Sequence, residues 1–91
     1  MLTFISKLFR RPLTFVKNSG NFVNVLDTNQ KNGSSESLFN GFVMKVDFNK
    51  RLLYIELTDL SREGIMKVIP FDDVVTINRM KDGRIRMWIK N

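Results

Sequence analysis

GFVMKVDFNKRLLYIELTDLSREGIMKVIPFDDVVTI, residues 41–77, decides the fold class of this chain. Short apolar runs alternate there with clusters of turn-forming residues. Leu53, Ile55 and Leu57 fall on one side of a run whose other side carries Tyr54 and Glu56. A period of two is the signature of a strand with one buried face. Residues 38–48 alternate too, with Phe42, Met44, Val46 and Phe48 against Gly41, Val43, Lys45 and Asp47. Gly41 inside that run predicts a bulge or a sharp bend. Asn49-Lys50-Arg51 supplies a hairpin loop, residues 58–64 a second turn, and residues 65–69 a third strand with Lys67 outward. Pro70 has no N–H to give a ladder, so the strand stops there. Phe71-Asp72-Asp73 then fits one tight turn before the next strand at Val74.

Beyond this stretch, Asp82-Gly83 lies between two alternating runs, a strong hairpin signal. A two-residue turn sets Lys81 opposite Arg84, Met80 opposite Ile85, Arg79 opposite Arg86, Asn78 opposite Met87 and Ile77 opposite Trp88. Met80, Ile85, Met87 and Ile89 then form a core face. Arg79, Lys81, Arg84, Arg86, Trp88 and Lys90 gather on the other. Like charges directly opposed destabilise a strand pair by a few tenths to about 1 kcal/mol. Such crowding predicts an anion site, relieved when a polyanion arrives. A turn longer than two residues would instead let these side chains splay into water.

Upstream, Phe22 to Leu26 alternates weakly and reads as a strand, while residues 13–16 are a strand or the end of an arm. Residues 27–37 contain no apolar side chain and predict a flexible polar loop. That loop divides an N-terminal arm with the first strand, 1–26, from a β-barrel at 38–91. Leu2, Ile5, Leu8 and Phe9 recur at helical spacing, and Pro12 ends the pattern. A short amphipathic helix or arm is expected. It would lie across an open end of the barrel, act as a targeting segment, or dock on a partner or membrane surface. Docking would use Phe4, Ile5, Lys7, Leu8, Phe9, Arg10 and Arg11.

The 91 residues fit one domain, and 43% apolar with 11% aromatic content argues against wholesale disorder. The chain has neither cysteine nor histidine. This excludes a disulfide framework, Cys- and His-ligated metals, and the Ser–His and Cys–His nucleophile pairs. No catalytic set, cofactor, metal site or small-molecule substrate is expected. The net charge of +6 is uneven. Residues 1–26 carry four basic residues and no acid, residues 79–91 five basic and one acidic, and residues 27–78 six basic against eight acidic. A polyanion or anionic surface would meet the two ends.

Gly41, the Leu53-Ile55-Leu57 strand and Ile69-Pro70-Phe71-Asp72-Asp73-Val74 resemble the small SH3-like and Sm-like β-barrels. The nearest pattern is the C-terminal barrel of ribosome maturation factors. An Sm-like reading also uses Gly41 and Asp47, but no Arg-Gly pair precedes the last strand as in Sm proteins. The resemblance spans residues 38–78 and implies a mainly β fold, a small barrel of about five strands. The function expected is a non-catalytic binding module. It would contact RNA, ahead of DNA, or another polyanion through the basic C-terminal hairpin. The alternative is a structural or adaptor subunit of a virion or organelle complex, docked through its N-terminal arm. Exposed edge strands would leave homo-oligomers open. With no secretory signal and no apolar run long enough to span a bilayer, an intracellular location, cytoplasm or organelle matrix, is expected.

Overall fold

The computed structural model describes residues 16–28, 37–59 and 61–90. Within them lie six strands: β1 (Phe22–Asp27), β2 (Phe39–Asp47), β3 (Leu52–Leu57), β4 (Met66–Pro70), β5 (Val74–Arg79) and β6 (Ile85–Ile89). Two 3₁₀ turns, Ser19–Asn21 and Phe71–Asp73, precede β1 and β5. The protein is mainly β, as its alternation predicts. The strands form one sheet in the order β4-β3-β2-β1-β6-β5, antiparallel throughout except that β1 and β6 run parallel.

That order forces the sheet to curl. In a flat sheet, five inter-strand steps would hold the edges β4 and β5 roughly 24 Å apart. The chain joins these two edges through the turn Phe71–Asp73 alone, a link that spans about 14 Å at full stretch. The edges must therefore bend toward each other. The inner side is the core: Val23, Val25, Val43, Val46, Leu53, Ile55, Ile69, Phe71, Val74, Ile77, Ile85 and Met87 are all buried. Phe71 is fully enclosed and meets Phe48 edge to face, ring centroids 5.5 Å apart.

Four expectations are corrected. The sheet is open, not a closed barrel of about five strands. Among the described residues no ladder joins β4 to β5, since Pro70 lacks an N–H and the chain leaves β4 directly into the 3₁₀ turn. β1 is an interior strand paired to β2 and β6, so the sheet begins at Phe22 and not at Leu38. The bulge lies between Val43 and Lys45, not at Gly41. Phe39, Gly41 and Val43 therefore face inward, and Phe42 and Met44 stand half-exposed.

The last correction concerns the hairpin. Arg79 pairs with Ile85, Asn78 with Arg86, Ile77 with Met87 and Thr76 with Trp88, one residue off the expected register. The Gly83 N–H donates to Met80 O (3.0 Å) and the Met80 N–H to Arg84 O (2.7 Å), with Gly83 at φ 93°. This is a three-residue loop closed by a glycine in the left-handed region. The longer turn removes the opposition of Arg79 to Arg86 and of Lys81 to Arg84.

Gly41 is required by a close approach. A Cβ there would lie 2.3 Å from the Glu56 carbonyl oxygen and 2.7 Å from Ile55 Cγ2. Asn21 fastens the entry to the sheet, one step beyond the Phe22–Phe42 pair. Its buried amide donates to Val43 O (2.8 Å) and Val16 O (3.0 Å), while its Oδ1 accepts from the Asn18 N–H (2.9 Å).

Candidate nucleic-acid interface

The outer face of β1, β2 and β6 carries the side chains that alternate away from the core. Because Val23 and Val25 point inward, Phe22 and Asn24 point outward. The β1–β2 register sets Phe22 against Phe42, and their rings meet edge to face at 5.2 Å. On the parallel side, Asn24 pairs with Arg86 and Leu26 with Trp88. The Arg86 guanidinium lies 6.0 Å from the centroid of the Trp88 ring, in cation–π range. Four residues along β1, roughly 13 Å, separate the level of the phenylalanine pair from that of Trp88. Between them the Asn24 side-chain amide donates to Asn40 Oδ1 (2.6 Å).

Two surface depressions meet on this face. One, of about 370 Å³, is lined by Lys17, Asn18, Phe22, Phe42 and Arg84. The other, of about 540 Å³, lies at the hairpin loop and is lined by Arg79, Met80, Lys81, Asp82, Arg84 and Arg86. Arg84 is common to both, so its side chain borders the aromatic pair as well as the hairpin cations.

The cations are held to different degrees. Arg79 is a tie within the fold: its Nη1 donates to Gly20 O (2.8 Å) and Gly83 O (2.7 Å), joining the hairpin loop to the turn before β1. Arg84 donates from Nε to Asp82 Oδ2 (2.7 Å) and from its backbone N–H to Asp82 Oδ1 (3.0 Å). The Arg84 backbone N–H, then its side chain, hold the Asp82 carboxyl below its ordinary range. Lys17 forms an ion pair with Glu56, beside Phe42 in the register. Lys81 is exposed in the loop.

Of the six hairpin residues singled out by sequence, Arg79, Lys81, Arg84 and Arg86 converge at the loop, and Trp88 follows Arg86 on the same face. Lys90 does not join them. It is at the far end of β6, where its N–H donates to Asp73 O (2.9 Å). Residues Phe4, Ile5, Lys7, Leu8, Phe9, Arg10 and Arg11, with the expected helix, lie outside the described residues, as does most of the polar loop. Among the described residues no helix is long and apolar enough to cross a membrane, and no cluster of acids could hold a metal ion.

Sequence reasoning missed Lys17, Phe22 and Phe42. The signal for Phe22 was present: once Val23 and Val25 are inward, the alternation sends Phe22 outward. Phe42 was grouped on one face with Val46 and Phe48 because the alternation was carried unbroken through Val43–Lys45, where the bulge lies. Comparisons with protein-family models, with curated proteins and with solved structures returned no match.

Proposed function

We propose that this protein is a non-catalytic module that binds single-stranded RNA across the outer face of β1, β2 and β6. One observation carries the reading: Arg84 lines both the aromatic depression of Phe22 and Phe42 and the cationic depression of the hairpin loop. A single strand needs both kinds of surface. Its phosphates are attracted by cations, and its unstacked bases seek aromatic faces, which any base can use. Lys81, Arg84 and Arg86 supply the charge. Phe22, Phe42 and Trp88, with Arg86 beside its ring, supply the platform. A duplex hides its bases from such a platform, so single strands are favoured over duplexes. The arrangement has no fork aimed at a base edge, and the binding is sequence-tolerant.

The test is titration of the full chain with a labelled oligouridylate at several salt concentrations. Phe42→Ala should weaken binding about 5- to 160-fold, the range of 1–3 kcal/mol per stacked base. Each lost phosphate contact should flatten the slope of log affinity against log salt by about 0.7, so Arg84→Gln with Arg86→Gln removes roughly 1.4. Absence of binding at low salt would overturn the reading. So would unchanged affinity in a folded Phe42→Ala variant.

A further inference from the structure

β4 is an edge of the sheet, and it is unusually apolar for one: Ile65, Met66 and Val68 are 53%, 46% and 42% exposed. The hydrogen-bonding phase of this edge follows from its neighbour. The Leu57 N–H donates to Ile65 O (2.9 Å) and the Phe71 N–H to Arg51 O (2.9 Å), which marks Leu57/Ile65 and Arg51/Phe71 as bonded pairs. Bonded pairs recur every second residue in an antiparallel ladder. Lys67 and Ile69 therefore turn their backbone groups toward β3. Met66 and Val68 turn theirs away, each offering one N–H and one C=O, and Pro70 offers a C=O alone. Met66 and Val68 thus combine outward-facing backbone groups with exposed apolar side chains.

Inside this edge, where the curled sheet fails to close, runs a cleft of about 300 Å³. Its walls include Phe39, Ile69 and Ile89; its rim carries Lys67 and Lys90 against the acid Asp73, with Arg62, which is ion-paired to Asp59, beside them. Lys67 lies 6.0 Å from the Phe39 ring centroid, poised above the seam. A strand added beside β4 would place alternate residues against Met66 and Val68. The residue between them would face Lys67 and the basic rim.

We propose that the β4 edge and the seam cleft receive an extended segment of a partner protein in which apolar and acidic residues alternate. Charge selects this occupant over two others. Residues 1–15 of the chain itself carry Lys7, Arg10 and Arg11 and no acid, the wrong sign for the rim. The β5 edge of a second copy, Val74–Arg79, has no acidic side chain to meet Lys67. The backbone bonds supply affinity and the alternation supplies selectivity, as in other strand-addition interfaces.

The experiment titrates the full-length, ¹⁵N-labelled protein with three synthetic peptides: alternating valine and glutamate, alternating valine and lysine, and the first peptide N-methylated at its valines, the residues that must bond Met66 and Val68. Only the unmethylated acidic peptide should bind, with amide shifts confined to β4 and the seam. Lys67→Glu should weaken that binding at least tenfold while leaving RNA affinity and the Phe22 and Phe42 resonances unchanged. Equal binding of the two unmethylated peptides would overturn the proposal, as would retention of binding by the methylated one. Shifts centred on Phe22 and Phe42 would overturn it too. Concentration-dependent self-association shifting β4 without peptide would assign the edge to a second copy instead. Phe42→Ala leaves this surface untouched, so failure of the RNA reading is separable from failure here.

Discussion

Arg84 closes back on Asp82, its backbone N–H and its Nε both landing on one carboxylate at 3.0 and 2.7 Å. The pair occupies the point where the cationic and aromatic depressions join, so Asp82 competes with any incoming phosphate for Arg84. Asp82→Asn should raise RNA affinity several-fold and steepen its salt dependence, read by the oligouridylate titration. Unchanged affinity would mean that Arg84 takes no part in binding. The carboxylate's pKa is lowered in the fold, so its contribution to the turn is present above the unfolded value and is lost as pH falls through the folded one. The Arg84 amide resonance should accordingly titrate with a midpoint below 3.8.

Arg79 is bound to two backbone carbonyls from opposite ends of the sequence. Opposed like charges would make replacement of the hairpin cations by glutamine neutral or stabilising. The three-residue loop removes that opposition and makes Arg79 a tie. Arg79→Gln should lower stability by about 1 kcal/mol, less than is usual for bonds from a charged donor because the site is exposed. Arg86→Gln, on the open face, should stay within about 0.5 kcal/mol of the parent. Chemical denaturation of both variants distinguishes the two roles.

Gly41 has no room for a side chain. The atom in the way is a backbone oxygen at 2.3 Å from the position of a Cβ, and it cannot rotate aside. Gly41→Ala should cost about 2 kcal/mol or more, through separation of β2 from β3. A melting temperature equal to the parent's would show that the strands can part freely at this point.

Asn21 is a buried polar residue whose amide completes the sheet where the 3₁₀ turn carries the backbone away from β2. Asn21→Leu keeps the branching and heavy-atom count of the side chain but leaves Val43 O without its donor. Removing that partner should destabilise by about 1–3 kcal/mol. Amide exchange should quicken first at the start of β1, ahead of the core of β3. Uniform acceleration across the sheet would argue against a local clip.

The sequence alone determined what depends on neighbours in the chain. β3 was legible because Leu53, Ile55 and Leu57 alternate without interruption. The turn after β4 was legible because Pro70 marks the end of the strand, although Pro70 itself still pairs with Leu52, its missing N–H lying on the free edge. Of the expected inward set Met80, Ile85, Met87 and Ile89, the last three followed from the same period of two, while the longer turn leaves Met80 half-exposed at the loop. What escaped depends on partners distant in sequence. Asp-Gly suits more than one loop length, and the choice of three residues shifted the β5–β6 register by one. A shift of one changes which side chains face each other, and the direct opposition of Arg79 to Arg86 and of Lys81 to Arg84 vanished with it, although the four cations still converge at the loop. The bulge at Val43 and Lys45 moved Phe42 to the outer face. The parallel pairing of β1 with β6 set Asn24 and Leu26 beside Arg86 and Trp88, 62 residues away in each case. No local pattern encodes such a pairing, because a strand's alternation states which side is buried and not which strand lies next to it. The aromatic-cationic face was therefore decided by tertiary structure, from residues whose outward direction alone was written in the chain.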